Sequence, residues 1–509
     1  MNGAIIGVFL VIIAYLVMML AIGFFYSKGN NDSSDFYLGG RKLGPFVTAM
    51  SAEASDMSSW LLMGLPGVAY LSGTADAAWT AIGLAIGTYV NWLVVAKRLR
   101  NYTHVCGNST TLPLFFSNRY RDNKRILSVI AALLIIIFFV PYTASGFAAC
   151  GKLFANLFGM DYLPAMLISA IVIVAYTTLG GFLAASTTDF VQSIVMTIAI
   201  VVVFGFGISK VGSFSAVMDN AKSMAGYFSL THTHDVATGT ASPYSLLQIF
   251  STLAWGLGYF GMPHVLLRFM AIGDANKLKL SRRVATVWVV ISMAVSVFIG
   301  VIGNAMTKAG VLPTLKDPET IILVVSDLIS KHGVLATIIA GLILAGILAA
   351  TMSTADSQLL AASSSASQNI LKEVFMKDMS EKTGMLIARI TVLVIALIGV
   401  FIARNPDSSV FQIVSFAWAG FGASFGPLVL LALFWKRSTF QGALCGMVSG
   451  GVMVFVWKFL IRPMGGALGI YELLPAFLLG LAVNVIVSLL TPAPSREVQD
   501  EFDKVASMK

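Results

Sequence analysis

The stretch SAEASDMSSWLLMGLPG, residues 51–67, lies inside an apolar run that extends from about residue 46 to residue 73. It carries four serines and the acids Glu53 and Asp56, and it ends in Gly64-Leu65-Pro66-Gly67. Proline removes a backbone donor and clashes with the preceding helical turn. The stretch therefore predicts a helix that is broken near Pro66 and carries unusual polarity for such apolar surroundings.

The composition indicates that these surroundings are lipid. Of 509 residues, 57% are hydrophobic and 11% are charged, and the mean hydropathy is +0.85. A water-soluble domain carries about 25% charged residues, so the composition excludes a soluble enzyme. The 33 basic residues are scattered without a basic stripe, which argues against nucleic acid as a partner, and the three cysteines show no CxxC spacing.

Runs of about 20 apolar residues predict an all-α integral membrane protein with thirteen transmembrane helices. The first run is too long to be a cleaved signal peptide, so we expect it to be retained. The predicted spans are 3–26, 46–73, 76–96, 126–151, 161–184, 188–209, 244–269, 284–306, 334–370, 385–403, 409–435, 440–461 and 471–491.

The distribution of basic residues predicts the orientation in the cell membrane. With the N-terminus outside and the C-terminus cytoplasmic, 24 of the 33 Lys and Arg residues lie on the cytoplasmic side. The basic segment 97–125 is then expected to be a solvated cytoplasmic loop. The outside loop contains His232 and His234, which we interpret as surface polar residues rather than a metal site.

The span at 244–269 is predicted to be interrupted in the same way as the span at 46–73. In the span at 244–269, Gly256, Gly258 and Gly261 precede Pro263, which lies about nineteen residues from the start. Corresponding breaks in two halves indicate an inverted-repeat transporter whose site lies at the membrane midplane. The predicted organisation is a leading helix and loop (1–45), a first repeat of spans 2–6 (46–210), an outside loop (211–243), a second repeat of spans 7–11 (244–435), two appended helices (436–491) and a cytoplasmic tail (492–509).

Few acids occur within the spans, and each is a functional candidate because burying a charge in lipid is costly. Asp189 is expected to open the sixth span after Gly180-Gly181, and Asp356 lies in the ninth span. Arg268 is interpreted as an anchor at the cytoplasmic end, which leaves no lysine or arginine at mid-depth. The acids therefore predict a mobile cation, held by freed carbonyls and Ser/Thr hydroxyls, although such hydroxyls can instead bond their own helix.

Aromatic residues cluster at the second break. Trp255 and Tyr259 are four residues apart, and Gly258 and Gly261 are expected to leave space beside them. Such a surface suits a compact apolar solute, with backbone N–H groups of the broken ends available for a carboxylate. The alternative is an aromatic lining that only packs helices.

Five long segments, in order along the chain, resemble the sodium:solute symporter family, and specifically its bacterial sodium/proline branch. They are LGGRKLGPFVTAMSAEASDMSSWLLMGLPG (38–67), TLGGFLAASTTDFVQ (178–192), WGLGYFGMPHVLLRFMA (255–271), ILAATMSTADSQLL (347–360) and FAWAGFGASFGP (416–427). The resemblance implies a LeuT-type fold with a five-plus-five inverted repeat, one leading helix and two trailing helices.

The resemblance also implies site residues. It places Na+ at the carbonyls of Ala54, Met57 and Ala350 and the hydroxyls of Ser353 and Thr354. Associated with the cation are Asp56, Ser58, Asp189, Asp356 and Ser357. The substrate pattern maps onto Ser51, Trp60, Tyr142, Trp255, Tyr259 and Pro263, and Arg41 falls at the cytoplasmic gate.

Four positions depart from the proline branch. Glu53 and Ser59 each stand where glycine is usual, Met262 replaces glutamine, and Asp356 replaces a small hydroxyl residue. The two additional acids can attract a second cation, accept a coupling proton or bind a cationic amino acid. They can equally pair with each other or with a polar neighbour and select nothing.

The expected function is symport of a small amino acid, most specifically L-proline, with Na+ as coupling ion and no organic cofactor. The alternative is an H+-coupled or cationic-amino-acid symporter of the same family. An intramembrane enzyme is disfavoured because the sequence contains neither HExxH nor GxSxG. The expected partners are the small solute and the lipid bilayer, and no obligate protein partner is evident.

Overall fold

Long apolar runs form helices because a helix satisfies its backbone polar groups internally, which lipid cannot do. The computed structural model describes residues 3–27, 37–177, 181–375 and 380–508. Within these ranges ten helices are long and apolar enough to cross a membrane, and three shorter apolar helices accompany them. Large apolar side chains cover the outer surface, and Ile171, Leu397 and Leu490 are 69%, 70% and 81% exposed, as lipid-facing residues should be.

In the first half of the chain, the described residues include the helices α1 (Gly3–Ser27), α2 (Pro45–Asp56), α3 (Leu65–Ser72), α4 (Thr74–Val90), α5 (Ala96–Val105), α6 (Leu112–Arg119), α7 (Ile126–Phe158), α8 (Tyr162–Thr177), α9 (Phe182–Val211) and α10 (Phe214–Ser223). A short antiparallel hairpin follows, formed by β1 (His232–His234) and β2 (Ala241–Pro243).

The second half contains α11 (Leu246–Leu253), α12 (Pro263–Ala271), α13 (Leu278–Lys308), α14 (Ile321–Ser330), α15 (Val334–Ser364), α16 (Glu381–Ala403), α17 (Val410–Phe434), α18 (Phe440–Val456), α19 (Leu473–Leu490) and α20 (Arg496–Ser507). Several π-helical and 3₁₀ segments extend or join these helices, namely Trp60–Gly64, Asn91–Val95, Ala254–Phe260, Ser365–Phe375 and Trp457–Ile461.

The break in the second span lies earlier than predicted. Helix α2 ends at Asp56, and the backbone of Met57 leaves the helical region at φ −75° and ψ 66°. Pro66 lies within a helix that runs from Trp60 to Ser72, in which the π-helical turn Trp60–Gly64 leads directly into α3. The prediction of a break at residues 64–67 is therefore wrong, because the backbone stays helical through the proline.

The break predicted in the seventh span is present. Helix α11 gives way to the 3₁₀ segment Ala254–Phe260, Met262 is extended, and Pro263 opens α12. This 3₁₀ segment packs against α4 and α17, while α2 packs against α9, α12, α13 and α15. The approach to α4 is so close that a Cβ added at Gly256 would lie 2.2 Å from the carbonyl oxygen of Gly83. Both broken spans thus lie at the centre of the helical bundle.

Two further expectations need correction. The sixth-span helix α9 begins at Phe182, so Asp189 lies within it rather than opening it; Gly180 lies outside the described residues. The basic segment 97–125 is not simply solvated, because Arg119 is 0% exposed and α20 packs over it through Phe502. The amphipathic pattern of α20 accounts for this docking, with Val498, Phe502 and Val505 buried.

Candidate functional site

Asp56, the last residue of α2, is the centre of a buried hydrogen-bond cluster. Its carbonyl oxygen accepts bonds from Trp60 Nε1 (3.2 Å) and Tyr142 Oη (3.1 Å). Tyr259 Oη, from the other broken span, donates to Asp56 Oδ2 at 2.6 Å. Asp56 Oδ1 has no hydrogen-bond partner among the described residues. The helix end thus uses side chains from three spans to satisfy groups that the break leaves unpaired.

An aromatic cluster surrounds Trp255 beside this helix end. Its ring centroid lies 6.1 Å from that of Trp60, 5.4 Å from Phe411, 6.2 Å from Trp418 and 5.1 Å from Tyr471. Pro263 opens α12 at the far side of the same break. The predicted residues Trp60, Tyr142, Trp255 and Tyr259 are therefore brought together.

Trp418, Phe411 and Tyr471 were not predicted as site residues. Trp418 Nε1 donates to the carbonyl of Trp255 at 2.7 Å, and its ring meets Tyr259 edge-on at 5.0 Å. The sequence signal was present, since Trp418 lies in the quoted segment 416–427 among small residues. Phe411 and Tyr471 lie at the ends of distant spans, and nothing in their local sequence associates them with Trp255.

The glycines of the break do not leave open space, contrary to the prediction. A Cβ at Gly258 would lie 1.9 Å from Trp418 Nε1, and one at Gly261 would lie 2.2 Å from the carbonyl oxygen of Phe421. Atoms of α17 occupy the space beside both glycines. These glycines therefore let two helices approach each other, and the solute surface has to be supplied by the aromatic rings.

The predicted cation ligands lie mostly together, between α2 and α15. Ser353 Oγ is 2.8 Å from the carbonyl oxygen of Ala54 and 3.2 Å from that of Ala350. Thr354 Oγ1 is 3.1 Å from the same Ala350 oxygen. Met57 is the first residue beyond α2 on the same side of the break. This set consists of neutral oxygen donors, which suit a hard monovalent cation.

A second polar cluster lies next to α2, and it contains a basic residue. Arg268 is 1% exposed, and its Nη2 is 3.0 Å from Asp189 Oδ2 and 2.5 Å from Ser357 Oγ. Ser51 Oγ donates to Asp189 Oδ2 at 2.6 Å and accepts from Arg268 Nε at 3.0 Å. Arg268 is therefore a buried partner of Asp189 rather than an exposed anchor, and the expectation that no basic residue neutralises the acids is wrong for Asp189.

Two of the predicted site residues, Ser51 and Asp356, lie in or beside this Arg268 cluster. Ser51, expected at the substrate, is instead hydrogen-bonded within the Arg268 cluster. Asp356 lies beside it, since Ser357 Oγ is 3.3 Å from Asp356 Oδ1. Asp189 pairs directly with the Arg268 guanidinium, and Ser357 bonds both that guanidinium and Asp356. Ser58, by contrast, stays at the break, where its Oγ is 3.4 Å from the backbone nitrogen of Trp60.

Arg41 closes one end of the bundle. Its Nη2 donates to the carbonyl of Ser109 at 2.8 Å, its Nη1 donates to the carbonyl of Met270, and the adjacent Leu43 nitrogen donates to the carbonyl of Ala271 at 3.2 Å. Burial, together with the nearby Arg100, lowers the pKa of Arg41 to about 10, so the guanidinium stays charged at neutral pH. The contact joins the chain before α2 to the end of α12.

The opposite end of the seventh span opens into a cavity of about 1090 Å³ that reaches Trp255. Glu319 lies in its wall and accepts bonds from Lys152 Nζ (2.9 Å), Ser409 Oγ (2.8 Å) and the backbone nitrogen of Val410 (3.0 Å). A carboxylate at this position also complements the N-terminus of α17. The structure is therefore open on the side of the 211–243 loop and closed at Arg41.

Comparison with known proteins identifies the family to which the chain belongs and the solved structures that share its fold. The sodium:solute symporter family model matches residues 36–450. A Bacillus subtilis protein named osmoregulated proline transporter OpuE is 41% identical over 483 residues, which cover 95% of this chain and 94% of that protein. A Staphylococcus aureus sodium/proline symporter is 40% identical over 504 residues, covering 98% and 95%.

Among solved structures, the substrate-bound, outward-open state of a Na+-coupled sialic acid symporter has a TM-score of 0.78 at 18% identity, covering 96% of this chain and 99% of that one. Mhp1, a nucleobase-cation-symport-1 family transporter in a closed conformation, has a TM-score of 0.53 at 13% identity, covering 92% and 98%. At such identities these likenesses show the fold alone.

Proposed function

We propose that this chain, which belongs to the sodium:solute symporter family, imports L-proline by symport with Na+. As a member of this family it is a multi-pass membrane transporter and not an enzyme. One observation carries the proposal: the end of α2 contributes both to the oxygen cluster with Ser353 and to the aromatic cluster through Asp56. The helix break at the end of α2 thus contributes to both the proposed cation site and the proposed solute site.

The cation site consists of the carbonyls of Ala54, Met57 and Ala350 and the hydroxyls of Ser353 and Thr354. Their neutral oxygens give a net charge of +1 with Na+ bound, and Asp56, two residues after Ala54 at the end of α2, supplies a carboxylate on the same helix end. Binding of Na+ replaces the Ser353–Ala54 hydrogen bond with coordination by both oxygens. It thereby fixes α2 against α15.

The solute site lies among Trp60, Tyr142, Trp255, Tyr259 and Pro263, with Trp418 completing the aromatic wall. Aromatic faces suit the apolar ring of proline, and a ring nitrogen that carries positive charge is attracted to them. The backbone N–H groups near the start of α12 are suited to the carboxylate. Ser51 belongs to this site only indirectly, through Arg268 and Asp189.

The proposed topology has thirteen transmembrane helices with the N-terminus outside and the C-terminus in the cytoplasm. The domains are those predicted above: a leading helix (1–45), repeats at 46–210 and 244–435 separated by the loop 211–243, two appended helices (436–491) and a tail (492–509). In this orientation the cavity at Trp255 faces outside and the Arg41 contact closes the cytoplasmic side. Transport then requires the cavity to close and this contact to open.

Symport with one Na+ is energetically sufficient for accumulation. Moving one charge through 100 mV yields about 2.3 kcal/mol. At about 1.4 kcal/mol per tenfold, this supports roughly fifty-fold accumulation before the Na+ gradient is added.

One observation favours a second candidate, an H+-coupled or cationic-amino-acid symporter. Glu53 Oε2 and Asp356 Oδ2 have no hydrogen-bond partner within the described ranges. A proton or an additional positive charge would satisfy either oxygen. Asp56 Oδ1 and Asp189 Oδ1 also have no hydrogen-bond partner in the described part of the chain. Of these four acids, Glu53 and Asp356 are the two that depart from the proline pattern.

The proposal is tested by a thermal-stability screen of the purified chain against the amino acids, with and without Na+. Stabilisation by L-proline that requires Na+ is the expected result. Stabilisation by L-lysine or L-arginine, or a proline effect that depends on pH but not on Na+, would favour the second candidate. No stabilisation by proline in Na+ would contradict the proposal.

A further inference from the structure

The third span touches both broken spans at one point. Helix α4 passes into the π-helical turn Asn91–Val95, and π-helical turns in α-helices are frequent at functional sites. Two consecutive residues of this turn, Asn91 and Trp92, donate their side-chain hydrogen bonds to different broken spans.

Trp92 bonds to the second span. Its Nε1 donates to Glu53 Oε1 at 2.8 Å, and its ring meets Phe269 of α12 edge-on at 4.4 Å. Trp92 is 3% exposed and Glu53 is 0% exposed. Glu53 directly precedes Ala54, whose carbonyl belongs to the proposed cation site.

Asn91 bonds to the seventh span. Its Nδ2 donates to the carbonyl oxygen of Tyr259 at 3.0 Å, inside the 3₁₀ segment where helical hydrogen bonding is interrupted. Tyr259 Oη in turn donates to Asp56, one helical turn after Glu53 on α2. The links Glu53–Trp92, Asn91–Tyr259 and Tyr259–Asp56 therefore form a closed circuit between α2, the third span and the second break.

We propose that Asn91 and Trp92 are positioning residues that couple cation binding to solute binding. A cation that fixes the end of α2 also fixes Glu53, and through Trp92 and Asn91 it holds Tyr259 in the solute-binding geometry. This inference rests on the proposed Na+/proline symport and deepens it. The link at residue 53 requires a side-chain acceptor, and Glu53 Oε1 supplies it.

The test is the factor by which Na+ increases proline affinity, measured as the ratio of dissociation constants for labelled L-proline in choline and in Na+. Coupling between two ligands is commonly 5- to 150-fold. W92F removes the donor and keeps an aromatic ring against Phe269. We expect it to lower the factor by about threefold to tenfold, the range that corresponds to one buried hydrogen bond.

W288F is the matched control, because Trp288 Nε1 donates to Thr197 Oγ1 at 2.8 Å between α13 and α9, away from both breaks. It should leave the factor unchanged. E53Q retains an oxygen acceptor and should keep the factor, whereas E53A should lower it as W92F does. If Trp92 acts through Glu53, the E53A/W92F double variant loses no more than either single variant.

Asn91→Leu tests the Asn91–Tyr259 link independently. We expect this variant to lower the Na+ coupling factor by threefold or more. A decrease of less than threefold in W92F, E53A and Asn91→Leu, with wild-type coupling intact, overturns the inference alone. An equal decrease in W288F also overturns it, because the effect is then not specific to the breaks. A wild-type factor of one contradicts the proposed symport itself.

Discussion

A methyl group added at Gly258 should displace Trp418 and weaken proline binding. The new Cβ would lie 1.9 Å from Trp418 Nε1, 2.4 Å from its Cε2 and 2.6 Å from its Cδ1. These atoms belong to a rigid ring that is 1% exposed. The ring therefore has to move as a whole.

The magnitude follows from two losses. Forcing an additional methyl group into a packed interior costs about 1–3 kcal/mol. The displaced indole also abandons the carbonyl of Trp255, 2.7 Å away, and an unsatisfied buried acceptor costs about 1–3 kcal/mol. The lower limits of these two costs add up to about 2 kcal/mol. If the proline-binding conformation is destabilised by this amount, the affinity for proline falls roughly thirtyfold.

The assay is equilibrium binding of labelled L-proline to purified G258A in saturating Na+. G205A is the matched control, because nothing lies within 4 Å of a Cβ at Gly205 in α9. We expect G205A to bind like the wild type. A G258A affinity within threefold of wild type would refute the assignment of Trp418 to the wall of the solute site.

Three further perturbations test other parts of the site. S353A should raise the Na+ concentration for half-maximal uptake about tenfold, or about 1.4 kcal/mol. S363A is the control because Ser363 Oγ donates to the carbonyl of Leu360 in its own helix, and equal values for the two variants would contradict the cation site. R268M should lower the midpoint of thermal unfolding, since breaking a buried ion pair costs about 3–5 kcal/mol. The double variant R268M/D189N should recover part of this loss, and a midpoint no higher than that of R268M would argue against the pairing. E319A should accelerate hydrogen exchange of the Val410 amide, which loses its carboxylate acceptor, and unchanged exchange there would refute this capping role.

The parts of the fold that could be predicted from sequence are those that depend on composition and periodicity. Apolar length predicted a helical membrane protein, and ten long apolar helices are found among the described residues. The Gly256 to Pro263 pattern predicted the second break correctly. The first break lies at Met57 rather than at Pro66, because the π-helical turn Trp60–Gly64 precedes the proline and the helix continues through it. What ends α2 is the set of side chains that satisfy Asp56, and two of these, Tyr142 and Tyr259, come from other spans.

The same distinction applies to the site. Ser353 and Thr354 were predictable because their contact with Ala54 and Ala350 follows from two recognisable motifs. The Arg268–Asp189 pair was missed because the position of Arg268 in its span suggests an end anchor, whereas its burial results from the packing of the short helix α12 against α2. Pairings such as Trp92 with Glu53 depend on the π-helical turn, which no local sequence pattern specified.

The most direct test of Na+/proline symport is uptake of labelled L-proline by proteoliposomes that contain the full chain. An inward Na+ gradient should drive accumulation above the external concentration, an inside-negative potential should increase it, and replacement of external Na+ by choline should abolish it. Uptake that is unchanged in choline, or that follows only a proton gradient, would contradict the account.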